Sequence, residues 1–274
     1  SGTSTEVLRL KDADKILGAL GAFVTKGVTI NPRSGNPPLR IVETKAGLPG
    51  LINSIGLQNS GVDVFLSEEL PELIRFQIPI IVNISANSVQ EFGELTSILM
   101  ERDHNRIISG IEINVSCPNI SAGGMSFGVD PILVEKIVWI VKRKARNDVS
   151  IITKLTPNIT DITEPAKAAV LAGTDALSMI NTVRGMAIDI YTGKCLLGNK
   201  IGGLSGPAIK PIGIYSVHEC FRNIPECRKK EVPIIGIGGI ACWEDALEYV
   251  MAGASAVAVG TAWFINPSIF VDIY

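Results

Sequence analysis

Seven apolar, β-branched runs recur along this chain, most of them separated by stretches with helical periodicity, and that alternation restricts the fold more than any other feature. The runs are 22–29 (AFVTKGVT), 79–85 (PIIVNIS), 111–115 (IEINV), 150–157 (SIITKLTP), 176–183 (ALSMINTV), 232–239 (VPIIGIGG) and 256–261 (AVAVGT). Helical patterns cover 12–20, 89–102, 130–146, 160–173, 211–222 and 243–252. Strands that alternate with helices form parallel βα units. Each run ends in a polar or glycine feature: Lys26, Asn83, Asn114 with Cys117, Lys154, Asn181, Gly238-Gly239 and Gly260-Thr261. A barrel of eight βα units gathers its chemistry at the carboxyl ends of its strands. An open doubly wound sheet concentrates it at one crevice instead. The pattern therefore predicts an α/β fold, a (β/α)8 TIM barrel with the first strand largely missing from the chain, as a single domain over 1–274. A chain of 274 residues with 46% hydrophobic and 19% charged residues suits one domain with a large core.

Two excursions interrupt the alternation. Residues 31–76 are rich in Pro and Gly (NPRSGNPP, AGLPG) and contain Asn53-Ser54-Ile55-Gly56-Leu57-Gln58-Asn59; residues 184–206 end in GGLSGP. Both read as loops, and loops this long in a compact domain usually carry function. The helix over 130–146 has the clearest termini: Asp130 as N-cap, Pro131 at the first position and a basic tail.

Composition excludes several partner classes. The net charge is −2 and there is no basic block, so nucleic acid is not expected. No apolar run approaches the ~18 residues of a membrane span, and the opening SGTSTEVLRL lacks a signal-peptide pattern. The five cysteines are an odd number without C-x-x-C, which argues against a disulfide framework or an iron–sulfur site within the chain. The two histidines, His104 and His218, stand apart, so no metal site is expected. These features together predict a reduced, cytoplasmic protein without membrane contact.

Residues 110–128 read GIEINVSCPNISAGGMSFG. Pro118 cannot donate to a sheet ladder, so the strand should stop before it. The small residues 121–124 suit a loop that moves. Cys117 then sits at the end of a buried strand, at the root of that loop. A lone cysteine is first of all a small core residue. Asn114 and Asn119, costly to bury unpaired, point instead to a polar ligand. Glycine-rich ends at 236–239 and 260–261 either make tight turns or offer main-chain N–H groups to a phosphate, which FMN or a sugar phosphate would satisfy equally. Lys154 lies inside an apolar strand, where it is costly unless paired with negative charge. The pyrimidine edge of a reduced flavin would supply that charge; snorkelling to the rim is the plainer account. Lys26 repeats the pattern. With Asn83, Asn114 and Asn181, the two lysines form a ring of donors suited to a planar heterocycle with many carbonyls.

The motif NVSCPN at 114–119, followed by a Gly-rich loop and FG-x-DP at 127–131, resembles the flavin-dependent dihydroorotate dehydrogenases, most of all the class 1B catalytic subunit. The similarity runs from about Gly21 to Asn266 and includes every strand end. It implies FMN as cofactor and oxidation of dihydroorotate to orotate in pyrimidine (UMP) biosynthesis. Cys117 would be the base that takes the C5 proton while hydride leaves C6 for flavin N5, under a lid formed by 120–128. Substrate contacts would fall on Lys26, Asn53, Ser54, Ile55, Gly56, Leu57, Asn114, Asn181 and Thr182. Flavin contacts would fall on Ser1, Gly2, Lys26, Gly27, Asn83, Asn114, Lys154, Ile180, Gly206, Gly238, Gly239, Gly260 and Thr261. The chain carries no dinucleotide fingerprint. The resemblance therefore implies a homodimer and a partner subunit with FAD and a [2Fe–2S] cluster that passes electrons to NAD. The alternatives are a fumarate-using class 1A form, a flavin barrel acting on another reduced pyrimidine such as dihydrouracil, and a non-enzymatic phosphate-binding barrel. Two departures from the family pattern stand out. Residues 45–51 (KAGLPGL) look longer than it, and the N-terminal strand is lacking. Ser1-Gly2 is expected to be the remnant of that strand's end, and the last helix to be cut short at Tyr274.

Overall fold

The computed structural model describes residues 18–44, 50–116, 118–119 and 125–273. Ser1, Gly2 and Cys117 lie outside the described residues. So do most of the expected first helix, residues 45–49 of the segment expected to be longer than the family pattern, residues 120–124 of the expected lid, and Tyr274.

Seven strands form one parallel sheet in chain order: Phe23–Val24 (β1), Ile80–Ile84 (β2), Ile108–Asn114 (β3), Ser150–Lys154 (β4), Ala176–Met179 (β5), Ile234–Ile237 (β6) and Ala256–Ala258 (β7). Sequential order is what consecutive βα units produce, and it brings every carboxyl end to the same side. β1 and β7 are the edges, and among the described residues no further strand joins them. The strand cores are shorter than the apolar runs, except β3, which starts at Ile108. Side chains alternate across a strand, so Glu112 and Asn114 share one face of β3. Ile111 and Ile113 take the other and are fully buried.

The helices begin and pack as their sequences direct. Helix α1 (Val89–Arg102) is capped by Ser88, which accepts from the N–H of Glu91, while the Glu91 carboxylate accepts from the N–H of Asn87. Helix α2 (Pro131–Lys144) starts at Asp130, whose carboxylate accepts from Ile132 and Leu133 at 2.9 and 3.4 Å, and it ends in Lys142, Arg143 and Lys144. α1 buries Phe92, Leu95 and Leu99; α2 buries Val134, Ile137, Val138 and Val141. The two helices meet so closely that a Cβ on Gly93 would lie 2.7 Å from Ile140. Helices α3 (Thr163–Leu171), α4 (Lys210–Asn223), α5 (Trp243–Ala252) and α6 (Ile269–Ile273) follow later in the chain.

The two excursions are not the loops that the sequence suggested. They join in a four-stranded antiparallel sheet, ordered Val183–Met186, Ile201–Ser205, Leu51–Asn53, Ile41–Glu43. The strands hold three to five residues each, too few for a periodicity to show, and the pairing that joins the two excursions, Leu51–Asn53 with Ile201–Ser205, is far apart in sequence. Gly202 and Gly203 look like loop residues but are strand residues at a tight approach: a Cβ on Gly203 would fall 2.1 Å from the Thr182 hydroxyl. Residues 62–74 are also helical, as Val62–Val64, a π turn at Phe65–Glu69 and Leu70–Ile74. Pro71 reads as a breaker because it lacks an N–H and crowds the preceding turn. The wider π turn ends at Glu69, two residues before it.

Replacing Asp130 with Ala should lower unfolding free energy by about 0.5–2 kcal/mol through loss of the α2 cap. Chemical denaturation measures it, and an unchanged midpoint would show that the cap contributes nothing.

Candidate active site

The carboxyl ends of the seven strands open into a cleft of about 1180 Å³. Pockets for a single drug-sized ligand run to roughly 300–1,000 Å³, so this cleft has room for a cofactor and a substrate side by side. All eighteen described residues expected to contact substrate or flavin line it.

One side is built of glycine turns. After β6, Gly238 and Gly239 hold φ of 129° and 71°, and Gly206 holds 96° just before the turn Pro207–Ile209 that leads into α4. A Cβ on Gly239 would come 2.8 Å from the Gly206 carbonyl oxygen, so only glycine lets these two main chains meet. Gly260 and Thr261 follow β7, and the Thr261 hydroxyl hydrogen-bonds the Ser205 hydroxyl at 2.7 Å. Main-chain N–H groups at such turns, beside a helix start, favour an anionic group such as phosphate.

Gly236 belongs to a different argument. It does not line the cleft; the ring of Tyr249 occupies the space beside it, 2.4 Å from where a Cβ would stand. Tyr249 comes from α5, is fully buried, and donates to the Gly238 carbonyl at 2.8 Å. Its hydroxyl also lies 3.3 Å from the Ile237 carbonyl. Burial first, then Asp245 and Glu248, pushes this hydroxyl's pKa up, so it stays a donor. Tyr249 thus holds the glycine turn from beneath.

The centre of the cleft floor is polar. Lys154 at the end of β4 and Asn83 in β2 line it, and both reach one carboxylate that the sequence reading passed over, Glu112 of β3. Glu112 is 2% exposed and accepts from Asn83 Nδ2 at 2.6 Å and Ser178 Oγ at 2.9 Å, with Lys154 Nζ at 3.5 Å. Burial raises its pKa, but the Lys154 ammonium and the bonds from Asn83 and Ser178 outweigh that and hold the carboxyl below its ordinary value. The counter-charge sought for Lys154 in a ligand therefore also exists within the chain. Its only sequence signal was a lone Glu in an apolar run.

Beside it, the amides are linked. Asn181 Nδ2 donates to Asn114 Oδ1 at 3.2 Å, and Asn114 Nδ2 donates to Ser85 Oγ at 3.3 Å. The Ser116 hydroxyl is buried at the cleft with no hydrogen-bond partner among the described residues, as a ligand-facing group would be. Ile180, Thr182, Lys26 and Gly27 also line the cleft.

The excursion sheet supplies the remaining side. Asn53 Nδ2 donates to the Gly203 carbonyl at 3.2 Å, and Ser54 Oγ accepts from Asn36 Nδ2 at 2.8 Å. Ile55, Gly56 and Leu57 continue along the cleft. Arg33, Glu69, Ser205 and Phe264 also line it and were not foreseen. They sit in excursions or turns whose place in space no local pattern reveals. Of the other cysteines, Cys220 and Cys227 are core residues: burial raises both thiols, Cys227 to about 12, which leaves them inert at neutral pH.

Tyr249→Phe should cost about 1–3 kcal/mol, because the Gly238 carbonyl loses its buried donor. Equilibrium unfolding tests this, and an unaltered stability would mean the turn holds without it.

A family model for dihydroorotate dehydrogenase matches residues 2–274. A protein of Caldicellulosiruptor bescii named dihydroorotate dehydrogenase B (NAD(+)), catalytic subunit, is 49% identical over 257 residues, covering 94% of this chain and 80% of that one. One of the same name from Alkaliphilus metalliredigens is 47% identical with the same coverage. A crystal structure of dihydroorotate dehydrogenase from Eimeria tenella in complex with ferulenol shares the fold, with a TM-score of 0.75 at 21% identity over 99% of this chain and 77% of that one. The chain therefore belongs to the dihydroorotate dehydrogenase family.

Proposed function

We propose that this chain is a catalytic subunit that oxidises dihydroorotate to orotate in pyrimidine biosynthesis, with FMN in the cleft and electrons passed to NAD by a partner subunit. The observation that carries this reading is the meeting of glycine turns, Lys154 and the Asn83–Asn114–Asn181 donors in one cleft, in a chain 47–49% identical to proteins so named.

FMN fits the residues present. Gly206, Gly238, Gly239, Gly260 and Thr261 offer main-chain approach to its phosphate. Lys154, Asn83, Lys26, Gly27, Asn114 and Ile180 also line the cleft and would hold its flat ring with carbonyl edges, and Ser1 and Gly2 join them by resemblance alone. When bound, FMN supplies the acceptor for the hydride from C6. Cys117 takes the C5 proton, so that the C5–C6 double bond forms as the two hydrogens depart. A free thiol titrates near ~8.5, close enough to neutral pH to serve as a base. Asn53, Ser54, Ile55, Gly56, Leu57, Asn114, Asn181 and Thr182, with Lys26, hold the substrate. By the resemblance, the segment 120–128 would serve as the lid that excludes water.

The relatives' names include NAD(+) and "catalytic subunit". They support a partner subunit that takes the electrons; the FAD and [2Fe–2S] cluster proposed for it, and the homodimer of this chain proposed to bind it, rest on the family resemblance. Among the described residues no helix is long and apolar enough to cross a membrane; the location proposed for the enzyme is the cytoplasm.

The purified protein should be yellow and should bleach when dihydroorotate is added without air, while dihydrouracil leaves the colour unchanged. A colourless protein, or one bleached equally by dihydrouracil, overturns the assignment. Cys117→Ser should reduce turnover by about 10²-fold or more near neutral pH with FMN retained; unchanged turnover would remove Cys117 as the base.

A further inference from the structure

Glu112 has no part in the mechanism above, yet it is the buried carboxylate nearest its chemistry. It is 2% exposed, beneath the cleft rather than lining it. Both of its oxygens are bonded: Oε1 by Asn83 Nδ2 at 2.6 Å and Lys154 Nζ at 3.5 Å, Oε2 by Ser178 Oγ at 2.9 Å. Of these partners, Lys154 and Asn83 line the cleft and Ser178 does not. The carboxylate therefore grips, from below, two of the side chains that face a ligand from above.

We propose that Glu112 is a positioning residue that sets the reduction potential of the flavin bound in this cleft, by fixing Lys154 and Asn83 and by offsetting part of the lysine's positive charge. This rests on the FMN reading given above. The argument is electrostatic. A bound flavin gains negative charge when it is reduced. A nearby ammonium favours that gain, and a nearby carboxylate opposes it. Inside a protein such charges act across several ångströms with little screening by salt. Lys154 alone would present a full positive charge to the ring. Lys154 with Glu112 presents a fixed dipole, positive end toward the cleft. The arrangement keeps the ammonium in place when the cleft holds no ligand, because a buried lysine without a partner would be costly. It also holds the flavin's potential lower than the lysine alone would, which eases onward transfer of electrons.

The test is a dye-coupled redox titration of the FMN-loaded protein. Glu112→Gln keeps the shape and the capacity to bond Asn83 and Ser178 but removes the charge. It should shift the oxidised-to-reduced balance about tenfold toward the reduced form, a rise of about 30 mV for a two-electron couple. Glu112→Asp, which disturbs packing but keeps the charge, should leave the midpoint closer to that of the parent. If Glu112→Gln does not fold, Lys154→Gln is compared with the double variant Glu112→Gln/Lys154→Gln, in which no charge is left unpaired; the second substitution should again raise the midpoint. A yellow protein whose midpoint does not rise when the Glu112 charge is removed, or rises as much in Glu112→Asp, overturns the role of Glu112 and leaves the flavin reading standing. A protein that never takes up FMN overturns that reading instead, and this inference with it.

Discussion

An ionised carboxylate inside a barrel is expensive unless every oxygen is bonded and a cation stands close by. Here one such group ties four consecutive strands together. Glu112 of β3 meets Asn83 of β2, Lys154 of β4 and Ser178 of β5. The apolar residues on the other face of these strands pack under the helices and supply the bulk of burial. They would tolerate many substitutions of similar volume. The polar knot tolerates few, because removing any member strands another in low dielectric. The floor of the cleft is therefore its most tightly specified part, and the groups that face the ligand inherit their positions from it.

Around that floor the site is assembled from two kinds of structure. The parallel strands deliver Asn83, Asn114 and Lys154 at the ends of regular ladders, where backbone hydrogen bonds fix them. The excursions deliver Asn53 and the segment leading to Gly206 on a small antiparallel sheet, with Ser54 through Leu57 following directly from the end of one of its strands. A sheet holds its residues more firmly than a loop would, so the mouth of the cleft is preformed on both sides. Tyr249 adds a third support, reaching from the outer layer to the glycine turn.

The barrel strands were legible because each couples an apolar run to a polar end, and the strand-end residues follow from that pattern. Lys26 and Asn181 were found in this way even though they lie just beyond β1 and β5. The excursion sheet was not legible. Its strands are short, and composition rich in glycine and proline speaks for turns unless the partner strand is known. Glu112 was missed because one charge in an apolar run does not reveal whether it faces solvent or the interior. Gly236 was read as part of a phosphate turn, although its lack of a side chain serves the ring of Tyr249. In each case the deciding fact was a contact distant in sequence.

The bond between Asn53 and Gly203 spans 150 residues of chain. The βα units can dock one after another as the polypeptide emerges, each against its predecessor. The small sheet at the mouth has to wait until both of its halves exist, and contacts of such long span form late. Binding competence would then arrive at the end of folding, after the scaffold is already compact, so an incomplete chain would have a floor but no ceiling for its ligand.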